Sequence, residues 1–320
     1  MFKIICITAS LIAISLIIIL ASPVSLQIGF RPLHSVSPPD FSTQTRPQPK
    51  MFTLLATGDV MLGRTLNDYA LSRNDFTFAF ADTASILSSA DLTLINLETP
   101  LSSTCPPSKH NTVFCADLRH LAGLAVAGVD IVSLANNHVF DQGETTFASA
   151  SAILEKAGMK VIYAGHPAKL SYNGLKISFH AFNDIWSFSK KYSRINPEEM
   201  QNEISAAATD SDLIIVMFHW GNEYTEYITD RQKTLARLAI DSGADLIIGS
   251  HPHWIQTSET YSGKKIDYSL GNYIFDQYWS EKTRYGLAAL YRFSNSVLTA
   301  AEYTRVYQKS DGHTILDPLQ

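Results

Sequence analysis

Five short polar clusters recur along the chain, and each follows an apolar run with the length of a buried strand. They are Gly58-Asp59, Asn96-Leu97-Glu98, Asn136-Asn137-His138, Phe218-His219-Trp220 and Ser250-His251-Pro252-His253. Imidazole, carboxylate and carboxamide groups are the side chains that bind divalent metals of intermediate softness. The carboxyl ends of strands in an open α/β sheet lie along one edge, where binding sites form. The ordered set therefore predicts a metal site at such an edge.

The histidines differ in how strongly they indicate a ligand. The pair in His251-Pro252-His253 is the most specific, because a proline stiffens the segment and lets two imidazoles face one metal centre. His219 taken alone fits a hydrogen-bonded core histidine equally well. Six of the ten histidines show no strand-end context and are interpreted as linker, loop, surface or packed residues: His34, His110, His120, His166, His180 and His313.

Strand-like runs and helical periods alternate from about residue 51 onwards. The predicted strands are Phe52 to Thr57, Leu92 to Asn96, Ile131 to Leu134, Lys160 to Ala164, Leu175 to Phe182, Leu213 to Phe218, Leu246 to Gly249 and Lys265 to Leu270. The predicted helices are Phe78 to Ser89, Asp117 to Ala127, Thr145 to Ala157 and Asp230 to Ser242. Finally, Gly286 to Arg292 and Val297 to Val306 flank a short turn and predict an antiparallel pair. A parallel βαβ array has no need of this hairpin, so the pattern predicts an α/β domain with more than one sheet.

Composition limits the class of protein. The 320 residues are 46% hydrophobic and 17% charged, which is enough for one large core or two modest domains. The net charge of -5 provides no basic face, so nucleic acid is excluded as the expected partner. The three cysteines are too few for a disulfide framework, but Cys105 and Cys115 share one loop, and we expect them to pair if the compartment is oxidising. The chain has no Walker-type phosphate loop, which argues against ATP-driven ligation by this protein.

The N-terminus predicts contact with a membrane. Lys3 precedes Ile4 to Ala21, an apolar or small stretch with about the length needed to cross a bilayer. A signal peptide and a signal anchor both fit, and the length of the run together with its weak cleavage site favours an uncleaved anchor. Residues 31 to 50 are rich in Pro, Ser, Thr and Gln and predict an extended linker. The predicted organisation is therefore an anchor or signal at 1–22, a linker at 23–50 and a folded domain at 51–310.

Six motifs resemble those of one known family. They are Gly58-Asp59-Val60-Met61-Leu62-Gly63-Arg64, Asn96-Leu97-Glu98, Ala135-Asn136-Asn137-His138, His219-Trp220-Gly221-Asn222-Glu223-Tyr224, Gly249-Ser250-His251-Pro252-His253 and Ser269-Leu270-Gly271-Asn272-Tyr273-Ile274-Phe275-Asp276. In this order they resemble the CapA family of poly-γ-glutamate capsule biosynthesis, within the calcineurin-like metallophosphoesterases. The resemblance implies a four-layer αββα sandwich preceded by a transmembrane segment. It also implies a bacterial extracytoplasmic domain tethered by its N-terminus, and a metal centre.

The resemblance also implies roles for individual residues. Asp59 and His253 would bind one metal, Glu98 would take the place of the bridging carboxylate, and Asn137, His219 and His251 would bind a second metal. His138 would be the general acid beside the site. The implied cofactor is one or two divalent ions, namely Mn, Fe or Zn. A pair of such ions, about 3.5 to 4 Å apart, polarises a substrate oxygen and lowers the pKa of a bound water.

Two positions depart from the phosphoesterase pattern. Met61 stands where the superfamily has the histidine of Asp-x-His, and a thioether is a poor ligand for a borderline ion. Glu98 replaces an aspartate and moves the carboxylate by one methylene. We therefore expect one tightly bound metal ion. Whether a second ion binds weakly is left open.

Two more charged residues are candidates for the chemistry. Arg64 would clamp a carboxylate or phosphate through its planar guanidinium, or would be a solvated residue at a helix start. Glu223 would orient a ligand histidine or act as a base, and Asp276 would support the site from behind.

The expected function is a membrane-anchored metal-dependent hydrolase in poly-γ-glutamate synthesis or export, acting on an anionic polymer or a phosphoester. Two alternatives remain open. The chain would be a non-catalytic metal-binding component that assembles with the membrane proteins of a polyglutamate synthase. Otherwise it would be a phosphatase acting on another envelope substrate.

Overall fold

The fold is described by a computed structural model for residues 48–105, 112–189 and 194–317. The predicted membrane segment at Ile4 to Ala21, its cleavage site, His34 and His110 lie outside these residues. So does nearly all of the predicted linker. Within the described ranges, none of the helices combines the length and apolar character required to span a bilayer.

Strands and helices alternate from Met51 to Ser250, and strands dominate the described residues after that. The strands are β1 Met51–Val60, β2 Leu92–Leu97, β3 Leu101–Ser102, β4 Ala116–Asp117, β5 Ile131–Ser133, β6 Lys160–Ile162, β7 Ala168–Tyr172, β8 Leu175–Asn183, β9 Leu213–His219, β10 Leu246–Ser250, β11 Ser258–Tyr261, β12 Lys264–Asp267, β13 Asn272–Ile274, β14 Tyr285–Ser294, β15 Val297–Gln308 and β16 Thr314–Leu316. The helices are α1 Arg64–Arg73, α2 Ala84–Leu87, α3 Leu121–Val126, α4 Gly143–Lys156, α5 Pro197–Ala207 and α6 Asp230–Asp241, with short 3₁₀ turns at Phe78–Phe80, Leu118–His120 and Lys282–Arg284.

Two large sheets carry the fold, which confirms the prediction of an α/β domain with more than one sheet. The first has the order β16-β15-β14-β1-β2-β5-β6, with β13 also paired to β1. The second has the order β11-β12-β10-β9-β8-β7. Strands β1, β2, β5 and β6 run parallel in the first sheet, and β8, β9, β10 and β12 run parallel in the second. The predicted late hairpin is confirmed as β14 and β15, and β14 pairs antiparallel with β1.

Both faces of each central strand are buried, which explains the continuous apolar runs in the sequence. Along β9, Leu213, Ile215 and Met217 face the other sheet. The intervening residues of β9, such as Val216 and Phe218, pack with α5 and α6. A third apolar cluster joins the outer face of the first sheet to α1 through α4. The order of packing is therefore helices, sheet, sheet, helices.

The helices differ most from the sequence expectations. The single helix predicted over Phe78 to Ser89 is wrong, because that segment splits into a 3₁₀ turn and the four-residue α2. Two helices were not predicted, α1 and α5. The start of α5 carries a recognisable signal, since Asn196 caps the backbone NH of Glu198 and Pro197 occupies the first turn. By contrast, α1 begins at a residue in the left-handed region, Arg64 at φ 50°, which periodicity does not reveal.

Candidate metal centre

The carboxyl ends of five strands bring the six predicted metal ligands to one buried site. Asp59 lies at the end of β1, Glu98 follows β2, and Asn137 lies four residues after the end of β5. His219 is the last residue of β9, and His251 follows β10 directly. His253, two residues further on, completes the set of Asp59, Glu98, Asn137, His219, His251 and His253. Asn137 is half-buried and the other five are buried.

Close backbone packing positions Asp59. The backbone NH of Asp59 donates to the carbonyl of Gly271 at 2.9 Å. A side chain on the preceding Gly58 would put its Cβ 2.0 Å from that same carbonyl oxygen, so only glycine permits this approach. Asp59 Oδ1 then accepts from Asn96 at 2.8 Å, and Oδ2 accepts from the backbone NH of His251 at 3.1 Å.

Glu98 is the most unusual carboxylate of the site. It is fully buried, and neither of its oxygens has a hydrogen-bond partner among the described residues. Burial, reinforced by the negative charge of Asp59, raises the pKa of Glu98 well above its usual range. A buried carboxylate without compensation costs free energy, and a cation bound beside Glu98 would balance its charge.

The two ring nitrogens of His219 meet different neighbours. Nδ1 lies 3.0 Å from the hydroxyl of Ser250, which itself donates to the carbonyl of Phe218, and 3.2 Å from the amide nitrogen of Asn96. Nε2 lies 2.7 Å from Asn137 Oδ1 and 3.6 Å from Glu98 Oε1. With the ring proton on Nδ1, toward Ser250, the Nε2 lone pair joins these two oxygens, which together are the donor set of a cation site.

The orientation of His253 is set by Asn272. The amide nitrogen of Asn272 donates to Gln277 and to the carbonyl of Thr283, so its Oδ1 accepts from the Nδ1 of His253 at 2.9 Å. The Nε2 lone pair of His253 lies 4.0 Å from Oε1 of Glu98. An acceptor behind a ligating imidazole sets its tautomer and orientation, as is common for metal-binding histidines.

His251 completes the group of imidazoles. Its Nδ1 lies 3.1 Å from the Nε2 of His219. His251 and His253 both have left-handed backbones, with φ 94° and 57°, a conformation that is uncommon for non-glycine residues and clusters at functional sites. Burial lowers the pKa of His219 and of His251 well below the usual value, which keeps both rings neutral and able to bind a metal.

The donor atoms fit one or two divalent cations. Asp59, Glu98 and His219 offer atoms within 4.8 Å of one another, and so do Glu98, His251 and His253. Glu98 belongs to both groups. Carboxylate oxygen with imidazole nitrogen suits Mn, Fe or Zn. Met61 contributes no donor to these groups, because its side chain packs with Phe114 and Phe275 in a small apolar cluster.

His138 lies at the edge of the site. Its Nδ1 contacts Asp141 Oδ2 at 2.8 Å, and its ring stacks on Phe114 with centroids 3.8 Å apart. The side chain is 16% exposed, whereas that of Asp141 is 1% exposed. Because Asp141 occupies Nδ1, the ring nitrogen left for proton transfer is Nε2, which forms no hydrogen bond within the described part of the chain.

The two remaining candidates occupy different surroundings. Arg64 is not a solvated helix-start residue: its guanidinium donates to Asp276 and lies 4.8 Å from the ring centroid of Phe114. Asp276 also accepts from the backbone NH of Thr65 at 3.1 Å, so it holds Arg64 rather than a ligand histidine. Glu223 is 41% exposed, with Oε1 4.0 Å from the Nε2 of His253.

Two residues of the site carry no signal that sequence reasoning used. The only sequence signal for Asp141 is its position, three residues after His138. Phe114 lies in a loop between two cysteines. Those cysteines form the expected bridge, since Cys105 and Cys115 are joined by a disulfide with Cα atoms 5.6 Å apart.

Comparisons with known proteins identify the family. The model of the bacterial capsule synthesis protein PGA_cap matches residues 53–277. The PGA biosynthesis protein CapA of Bacillus subtilis is 30% identical over 241 residues, covering 70% of this chain and 63% of the relative. The capsule biosynthesis protein CapA of Bacillus anthracis is 28% identical over 250 residues, covering 71% of this chain and 61% of the relative. The match thus spans less than two thirds of either relative.

A solved structure agrees at the level of the fold. A novel phosphatase from Mycoplasma pneumoniae aligns with a TM-score of 0.56 and 16% identity, covering 81% of this chain and 95% of that one. The likeness shows a phosphatase-type fold and nothing about activity. The match to residues 53–277 includes every strand end that carries a ligand candidate, and it confirms the CapA resemblance: the chain belongs to the bacterial capsule synthesis protein family PGA_cap.

Proposed function

We propose that the protein is a metal-dependent hydrolase acting in the synthesis or export of poly-γ-glutamate. Its substrate would be an anionic polymer or a phosphoester. The single observation that carries the proposal is Glu98, a fully buried carboxylate whose oxygens have no hydrogen-bond partner among the described residues. A site assembled around such a carboxylate is stable when a cation occupies it.

The chain's own residues supply the remaining parts of a hydrolytic site. A divalent ion held by Asp59, Glu98 and the histidines would supply Lewis acidity toward a substrate oxygen. His138 would protonate the leaving group through Nε2, while Asp141 fixes the tautomer through Nδ1. A purely structural metal site has little use for a carboxylate-oriented imidazole beside it, which favours catalysis.

An exposed aromatic side chain lies near the ligands. Trp279 is 63% exposed and meets Tyr224 edge-on, with centroids 4.7 Å apart. Tyr224 in turn stacks on His253 at 5.8 Å. This row of rings leads from solvent to a ligand candidate and would form one wall of a substrate approach.

A second candidate function is favoured by Met61. Its thioether stands at the position of a histidine ligand and is buried among aromatic rings. A site with a missing ligand also suits a non-catalytic component that binds metal and assembles with membrane proteins of a polyglutamate synthase. In either case we propose that residues 1–22 hold the protein in the cell membrane, with the domain at 51–310 outside the cytoplasm.

One experiment separates these candidates. The full-length chain is purified, its bound metals are quantified, and the same sample is assayed on γ-glutamyl polymers and on simple phosphoesters with and without a chelator. We expect metal-dependent cleavage of one substrate class. Bound metal without either activity would favour the assembly component, and cleavage of phosphoesters alone would favour a phosphatase acting on another envelope substrate. A chain that binds no divalent metal would refute the metal site itself.

A further inference from the structure

We infer that Phe114, held in place by the Cys105–Cys115 disulfide, is a positioning residue for the general acid His138. The inference rests on the proposed hydrolase function for its kinetic consequence. Its structural part, that Phe114 and the Cys105–Cys115 bridge orient His138, is tested independently of any activity.

One carboxylate oxygen connects the two residues. Asp141 Oδ2 accepts from the backbone NH of Phe114 at 2.6 Å and contacts the Nδ1 of His138 at 2.8 Å. The loop backbone and the imidazole therefore share a single buried acceptor. A displacement of Phe114 removes one of the two interactions that hold the carboxylate in its present orientation.

The side chain of Phe114 makes a second, independent contact. Its ring stacks on the imidazole of His138 at 3.8 Å with an interplanar angle of 21°. The ring is 4% exposed and is itself confined by Phe275, Met61 and the guanidinium of Arg64. His138 is thus held at Nδ1 by a hydrogen bond and on its face by a buried aromatic ring.

The disulfide fixes the segment that carries this ring. Cys115 is the residue after Phe114, and its partner Cys105 follows the short strand β3. The carbonyl of Phe114 accepts from the side chain of Gln142 at 2.9 Å, which joins the same segment to the start of α4. None of the six metal-ligand candidates takes part in these contacts. Phe275, which meets the ring of Phe114, also lies 4.8 Å from the ring of His253, so the ligands are one contact further away. The Cys105–Cys115 bridge is therefore linked to His138 through Phe114.

The first test compares substitutions at Phe114 in the full-length protein. Phe114→Leu keeps an apolar side chain but removes the ring, and Phe114→Tyr keeps the ring. Phe76→Leu is the matched control, because Phe76 is also a buried ring between a histidine and an arginine. Its ring centroid lies 5.2 Å from that of His120, in an edge-on arrangement, and 4.2 Å from the guanidinium carbon of Arg119. We expect Phe114→Leu to lower kcat by roughly ten- to a hundredfold with KM and bound metal nearly unchanged. Phe114→Tyr should retain most of the wild-type kcat, and Phe76→Leu should leave kcat unaltered.

The second test reads His138 directly. In protein labelled at its histidines, the ring protons of His138 are assigned by their loss in His138→Ala and should be displaced upfield by the stacked ring of Phe114. The displacement should vanish in Phe114→Leu and shrink in the Cys105→Ser, Cys115→Ser double variant. It should persist in Phe76→Leu.

The outcomes separate the proposed hydrolase activity from the orientation of His138 by Phe114. If the wild-type protein cleaves no substrate, the proposed function fails, and the spectra alone decide whether the loop orients His138. If the wild-type protein is active and His138→Ala is impaired, but Phe114→Leu retains full kcat, Phe114 has no positioning role. His138 signals that coincide in the wild type, Phe114→Leu and the double serine variant would overturn the inference whatever the kinetics show.

Discussion

Nε2 of His219 lies 3.6 Å from Oε1 of Glu98, and both side chains are buried. With the proton of His219 on Nδ1, toward Ser250, Nε2 and a charged Glu98 present lone pairs to each other, and a cation between them would remove this repulsion. This relationship links stability to metal binding, and the first two predictions follow from it.

Glu98→Gln should remove metal binding without destabilising the metal-free fold, because it replaces a buried carboxyl group that has no hydrogen-bond partner among the described residues by a neutral amide of the same shape. In the wild type, a metal at a hundred times its Kd should add about 2.7 kcal/mol to the free energy of unfolding. We expect that gain to vanish in the variant, as measured by thermal unfolding with and without added Mn²⁺ or Zn²⁺. Glu155→Gln, at an exposed carboxylate, is the control. An unchanged metal-induced shift in Glu98→Gln would exclude Glu98 as a ligand.

His219→Ala and His251→Ala should each lower metal content and melting temperature together, since bound metal contributes to folding free energy. His166→Ala is the control, because His166 is 44% exposed and pairs with Glu155. Metal analysis and unfolding are measured on the same preparations. Full metal occupancy in both ligand variants would remove these residues from the ligand set.

His138→Ala should leave the metal in place and lower turnover by roughly two to four orders of magnitude, the usual span for a lost general acid. Asp141→Asn should lower turnover less, because the ring remains but its tautomer is no longer fixed. Metal content and kcat are measured side by side. If His138→Ala keeps full activity while His251→Ala loses it, the metal binds substrate or stabilises the fold, and the assembly role is favoured.

His120 should make the protein sensitive to acid independently of the metal site. Burial lowers its pKa to about 4 from the usual 6.5, and its Nε2 lies 3.2 Å from Asn67 Oδ1. Because the folded-state pKa is lowered, the stabilisation is complete above pH 6.5 and is lost as the pH falls from 6.5 towards 4, by about 3 kcal/mol. Urea unfolding of the wild type and His120→Gln at pH 7 and pH 4.5 measures this difference. Curves that fall in parallel with pH would show that His120 does not contribute.

The location of the protein is tested at its N-terminus. If Ile4 to Ala21 is an uncleaved anchor, the protein should remain in the membrane fraction, and its measured mass should retain Met1 or Phe2. Protease added outside intact cells should digest the folded domain. A mature N-terminus at Ser22 or nearby would mean a cleaved signal peptide and secretion instead.

The order of strand-end clusters in the sequence determined the α/β class, the family and the set of residues that converge. These features are local: a buried strand reads as an apolar run, and parallel strands end at one edge of a sheet. The late hairpin and the Cys105–Cys115 pairing could also be predicted from the sequence, because each depends on residues that are close together in the chain.

Tertiary structure alone decided which atoms meet. Arg64 pairs with Asp276, 212 residues away, and His253 is oriented by Asn272 on a different strand. Neither contact follows from periodicity. The first depends on the pairing of β1 with β13, the second on the packing of the two sheets, and both involve a left-handed backbone, at Arg64 and at His253. The role of Phe114 could not be predicted from the sequence either, since its ring meets His138 only through tertiary packing. Local pattern selects the chemistry, whereas long-range packing sets the distances and orientations through which that chemistry acts.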